Sequence, residues 1–176
     1  MKKTVLTFGL ISGGILMAMM AITVPLCING DHTELLGYFL GYTSMILAFL
    51  LVFFGIRSYR ENAAGGSITF GRAFKVGILI TLITCAMYVV TWEIVYYGFI
   101  PDFADKYAAH QIAAMQKSGA TAAAIAETKQ KMAEFAVAYR NPLYNIGMTF
   151  LEVFPVGLIM TLISAAILRR KPAMAT

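Results

Sequence analysis

Residues 142–168 read PLYNIGMTFLEVFPVGLIMTLISAAIL, and Arg169, Arg170 and Lys171 follow at once. One acid, Glu152, interrupts an otherwise uncharged run. A helix needs about 20 mainly apolar residues to cross the hydrocarbon core of a bilayer. This stretch is long enough, and its basic end is the kind of flank that stays in the cytoplasm. Three more runs match it. Residues 4–30 and 35–56 carry no formal charge, and residues 76–101 carry only Glu93. The spacing predicts spans near 5–28, 35–56, 74–99 and 143–168. Helices are expected because backbone polar groups in lipid must be satisfied within the segment. A closed barrel would need alternating segments of about 10 residues, and none is present.

Composition agrees. The chain is 59% hydrophobic and 13% charged, with mean hydropathy +0.73. A soluble domain is about 45–50% apolar and about 25% charged, so lipid must solvate much of this surface. The net charge of +5 does not point to nucleic acid, because the charges cluster at the ends of apolar runs. The expected partner is the lipid bilayer. The expected fold is all-α, a four-helix transmembrane bundle with a helical hairpin between spans 3 and 4. Residues 1–176 are read as a single integral membrane domain.

Orientation follows from Lys and Arg. Lys2, Lys3, Arg57, Arg60, Arg72, Lys75, Arg169, Arg170 and Lys171 would share one side, and the short loop at 29–34 has no basic residue. The positive-inside rule then puts both termini in the cytoplasm. Tyr38, Trp92, Tyr96, Tyr97 and Tyr144 fall near the outer interface, where an aromatic belt belongs, and Trp92 is read as an interface anchor. The first apolar run is longer than the 7–15 residues of a signal-peptide core and ends in no A-x-A site, so it is expected to stay as a span. Cys27 and Cys85 lie inside apolar runs, so no disulfide framework is expected.

The outer segment, about 101–141, is rich in alanine and reads as a helical hairpin. Pro101 suits a helix start. Ser118 and Gly119 break the pattern, and Thr121 is placed to cap a second helix. Ile125, Thr128, Met132, Phe135 and Tyr139 recur at heptad spacing and form one seam. That seam packs either on its own partner helix or on another protein, the latter making it a candidate docking surface.

Glu93 and Glu152 are the acids inside the spans, and an ionisable residue there is a functional candidate by default. Counted along straight helices they lie about 12 Å and about 15 Å from the outer boundary. A shared proton between them is one expectation. Asn141, Asn145, Thr149 and Glu152 follow at steps of 4, 4 and 3, one polar stripe, and Pro155 removes the hydrogen bond to the carbonyl of Leu151. The plainer reading makes Glu152 neutral, hydrogen-bonding another helix as packing glue. Gly9 and Gly13, and Gly37 and Gly41, form G-x-x-x-G pairs, and Gly77, Thr81 and Cys85 a looser set. They mark helix packing, within the bundle or between copies.

Other motifs fail on inspection. Gly66 to Gly71 copies the spacing of a P-loop, but Arg72 and Ala73 replace its Lys and Ser or Thr, and no strand precedes it. His32 beside Asp31 and Glu34 makes a poor metal site, and no catalytic set, metal or cofactor is expected.

Several stretches together resemble a known family. They are Phe54-Gly55-Ile56-Arg57-Ser58-Tyr59-Arg60, Gly66 with Phe70-Gly71-Arg72-Ala73-Phe74, Asn141-Pro142, Glu152 with Phe154 and Val156-Gly157-Leu158, and Ser164-Ala165 leading to Ile167-Leu168-Arg169-Arg170-Lys171. Their order is similar to that of the bacterial multipass membrane family catalogued as domain of unknown function 4199. The resemblance implies a bacterial inner-membrane location and four spans, and no activity. The reading that results is a non-enzymatic interaction or organising module, with a membrane-protein partner or a homo-oligomer. The alternative is a small proton-coupled transporter or channel using Glu152 and Glu93.

Overall fold

A computed structural model describes residues 1–29 and 34–170, with side chains described for 1–24 and 39–170. Six helices follow in order: α1 (Lys2–Asn29), α2 (Glu34–Ala63), α3 (Phe70–Phe99), α4 (Phe103–Lys117), α5 (Ala122–Tyr139) and α6 (Pro142–Leu168). Among the described residues there is no strand beyond one isolated bridge, Ile68 to Arg170. Four of the helices are long and apolar enough to cross a membrane, over Lys2–Val24, Phe39–Ala63, Phe70–Phe99 and Pro142–Leu168. The fold is all-α, with the α4–α5 hairpin between the third and fourth of these.

Local chemistry sets the helix ends. The Thr121 hydroxyl accepts from the Ala124 N–H at 3.3 Å and caps α5. Gly119 follows α4 with φ +74°, and the N–H groups of Gly119 and Ala120 close onto the carbonyls of Gln116 and Met115. This is a Schellman ending, which favours glycine because only glycine adopts that φ without strain. Asn141 caps α6 by accepting from the Leu143 N–H at 3.0 Å, with Pro142 at the first helical position, where no N–H is needed. The stretch that copies a P-loop is a capping turn: Thr69 accepts from the Arg72 N–H at 3.4 Å and opens α3. Ile68 and Arg170 exchange two backbone hydrogen bonds of 3.0 and 2.8 Å, tying the α2–α3 loop to the end of α6.

The contacts divide the chain into two compact units, residues 1–89 with 150–176, and residues 90–149. In the first, α2 and α3 form the centre and α1 and α6 flank them. Lipid gives no hydrophobic drive for helices to associate, so small residues and short hydrogen bonds do the work. A Cβ on Gly9 would meet Ile83 at 2.9 Å, and one on Gly13 would collide with Met87, so α1 seats on α3. Gly55 lies under Ile80 and Phe8, Gly77 under Thr161 and Ile56, and Gly157 under Thr81 and Phe49. Buried hydroxyls add Ser12 Oγ to the Ala48 carbonyl at 2.9 Å and Thr81 to Thr161 at 2.9 Å. The apolar core between them includes Phe49, Val52, Ile56, Val76, Ile80 and Val153.

The second unit holds the end of α3, the α4–α5 hairpin and the start of α6. Its interior is aromatic: Trp92, Tyr96, Phe103, Tyr107, Phe135 and Tyr139 meet at centroid separations of 4.9–6.4 Å. Exposed ion pairs decorate its surface, Asp102 with Lys106 and Asp105 with Arg140. The hydrogen bond from Lys131 holds the Glu127 carboxyl below the usual range and raises the Lys131 ammonium.

Candidate functional site

The polar stripe of α6 divides along its length. Asn145 and Thr149 are buried, at 0% and 3% exposure, while Asn141 and Glu152 are exposed. Rotation is not the cause. Asn145 and Glu152 are seven residues apart, close to two full turns and about 10 Å of rise, so they share a helix face. What differs is cover. Trp92 and Tyr139 lie over Asn145, whereas Glu152 stays exposed.

Around Asn145 the cover becomes a network. The Trp92 indole N–H is shared between the Tyr139 hydroxyl at 2.9 Å and Asn145 Oδ1 at 3.0 Å. Thr149 Oγ1 also donates to Asn145 Oδ1, at 3.3 Å. Asn145 Nδ2 is buried with no hydrogen-bond partner. A buried indole needs an acceptor for its N–H, and the one asparagine on this face of α6 supplies it. Trp92 and Tyr96, placed at the interface belt by sequence, are therefore core residues of the second unit, at 8% and 2% exposure. Tyr97 and Tyr144 stay exposed, and Tyr38 lies outside the described side chains.

Glu93, next to that network in α3, is half-buried, and its Oε1 is buried without a partner.

Glu152 is different in kind. The buried residues of α6 beyond position 150 are Val153, Gly157, Thr161, Ser164, Ala165 and Leu168; Gly157 meets Phe49 of α2 and Thr81 of α3, and Thr161 bonds Thr81. Glu152 is on the other side, with Leu151 (63% exposed), Ile159 (56%) and Ile163 (50%). An acid midway along a membrane-length helix thus faces outward from an apolar strip.

The expected docking seam is filled from within. Thr128 donates to the Met115 sulfur at 2.9 Å, Phe135 lies against Tyr107 at 5.9 Å, and Tyr139 against Phe103 at 6.1 Å. Ile125 and Met132, half-buried, share that face of α5. The seam packs on α4, the first of the two packings open to it. Among the small residues, Gly9 and Gly13 face α3, but a Cβ on Gly41 would meet nothing within 4 Å. Gly37, His32 and Cys27 lie outside the described side chains. Cys85 is buried and free, and among the described residues no three metal-ligating groups gather. Gly55 stands in no G-x-x-x-G pair, and no spacing in the sequence joins Trp92 to Asn145. The lone indole and the lone asparagine of an apolar run were the available signal.

A family model described as "Protein of unknown function (DUF4199)" matches residues 7–170. The chain belongs to this family. No curated protein and no solved structure matches it. The DUF4199 match takes in α1 to α6 almost entirely, including the Asn145 network and Glu152.

Proposed function

We propose that this DUF4199 protein is a non-enzymatic module of the bacterial inner membrane that works by associating with membrane proteins. Both termini and the α2–α3 loop are cytoplasmic in this reading. The Ile68–Arg170 bridge supports that side assignment, because it joins two of the basic segments at one end. The observation that carries the reading is Glu152. Charged groups cost a few kcal/mol at the centre of a span and are normally turned to protein or to water. Here the group is turned away from its own bundle, while hydroxyls of the spans, Ser12, Thr81, Thr84 and Thr161, bond within it. A protein surface is the natural cover for it. The docking element is accordingly the outward face of α6, and not the seam of the hairpin.

The test is site-specific photo-crosslinking in native membranes, with a benzoylphenylalanine at Ile159. Protein adducts are expected. Adducts to lipid alone would overturn the reading.

The second reading, a proton-coupled transporter or channel, draws on the orphaned Glu93 Oε1. Reconstituted protein should then carry a proton flux that Glu93→Gln and Glu152→Gln abolish, and equal flux in parent and variants rules it out.

A further inference from the structure

We infer that the partner covering Glu152 is a second copy of this chain, docked through α6 in a two-fold pair. The inference rests on the association reading above and names its partner.

Chemistry narrows the partner. Glu152 lies ten residues into α6, about 15 Å along the helix, near the middle of a hydrocarbon core about 30 Å thick. An ionised carboxyl is costly there, so the group that must be covered is a neutral acid with one O–H donor and acceptor oxygens. Pro155 adds a second feature to the same side of the helix. It has no N–H, so the Leu151 carbonyl loses its usual donor. The outward strip therefore carries one donor and one spare acceptor within a turn. That pair is self-complementary.

Geometry narrows it further. Copies inserted by the same topology share one orientation, so a two-fold axis along the membrane normal sets every residue of α6 at the depth of its own counterpart. Closed two-fold pairing matches a patch with itself. Glu152 then meets Glu152 of the second copy at equal depth, either acid to acid or each O–H to the other copy's Leu151 carbonyl. No basic residue of the spans competes for it as a counter-ion, since residues 4–30, 35–56 and 76–101 contain no Lys or Arg. The strip that would close around the pair is apolar, with Leu151, Ile159, Leu162 and Ile163 all exposed. The glycines that most resemble a dimer motif, Gly9 and Gly13, are already seated on α3.

The experiment uses the full chain in its native membrane, with benzoylphenylalanine placed singly at Ile159, Ile163 or Leu47. Leu47 is an exposed position on α2 and serves as the control face. A self-adduct of twice 19.2 kDa is expected from 159 and 163 and not from 47. Dimer dissociation constants are then measured in lipid vesicles by energy transfer. Glu152→Leu keeps an apolar surface and should weaken pairing about tenfold, the effect of losing both symmetric interhelical hydrogen bonds, together about 1.4 kcal/mol. Glu152→Gln keeps a donor and an acceptor and should stay within about threefold of the parent. Adducts at 159 to a different protein would overturn self-pairing and leave the association reading standing. Adducts to lipid alone would overturn both. Self-adducts with Glu152→Leu pairing as tightly as the parent would overturn the role of the acid.

Discussion

Gly157→Ala is the sharpest test of the helix packing. A Cβ at 157 would fall 2.5 Å from Thr81 Cγ2 and 2.7 Å from Phe49 Cε1. Neither neighbour has room to retreat. Phe49 is 0% exposed, and Thr81 is 0% exposed and held by Thr161 at 2.9 Å. Overpacking of this kind costs about 1–3 kcal/mol, and the rigid surroundings argue for the upper end. Disturbing the Thr81 hydroxyl adds about 0.6 kcal/mol. Alanine returns about 1 kcal/mol through its better helix propensity. The net expectation is a loss of about 2.5 kcal/mol, close to a 70-fold shift in the unfolding constant. The assay is unfolding by sodium dodecyl sulfate in mixed micelles, followed by circular dichroism. Gly41→Ala is the control: it stands in a G-x-x-x-G pair yet faces nothing within 4 Å, so it should be neutral or slightly stabilising. Parent-like stability for Gly157→Ala, or an equal loss for Gly41→Ala, would refute the packing argument.

Trp92→Phe removes the N–H shared by Tyr139 and Asn145 and should cost about 2–3 kcal/mol, read by the same unfolding assay. Adding Asn145→Leu to it should recover part of that loss, because the buried amide, whose Nδ2 has no partner, goes too. Thr81→Val should cost about 0.6 kcal/mol, and Thr81→Val with Thr161→Val should cost little more than either alone. A double cycle with no coupling would count against the hydrogen bond. Gly119→Ala, at φ +74°, should cost about 1–2 kcal/mol by thermal melting, more than an alanine at Gly98, which has no positive φ and no close neighbour.

Much of the fold was legible before any coordinates. Uncharged runs flanked by basic clusters define spans whatever the packing, because bilayer thickness sets the length. The hairpin was legible through Ser118-Gly119 and the Thr121 cap, since both signals act within a few residues. Packing was less legible. A G-x-x-x-G pattern reports small side chains on one face and says nothing of what stands opposite. Hence Gly13 and Gly41 look alike in sequence and differ in structure. Gly55, outside any such pattern, closes against Ile80 and Phe8 because α1, α2 and α3 converge there. Trp92 misled for a related reason. An amphipathic ring near the end of a span suits the interface, and only the arrival of α4 and α5 makes its site a core.

The same logic explains why one polar stripe produces two kinds of residue. Asn145 and Glu152 share a face of α6, so helical periodicity assigns them one fate. Their fates separate because cover is a property of depth along the helix. Near the start of α6 the second unit brings Trp92 and Tyr139 over the stripe, and the Trp92 N–H and Asn145 Oδ1 are matched there while Asn145 Nδ2 is not. Seven residues further on, the stripe continues without cover, and its next member is an acid among exposed Leu and Ile. An apolar residue at 152 would suit lipid better by a few kcal/mol. A residue that lowers the stability of the isolated chain, on a face its own helices leave open, makes sense where another surface completes it. That surface needs a donor and an acceptor at the same depth, and a second α6 supplies both.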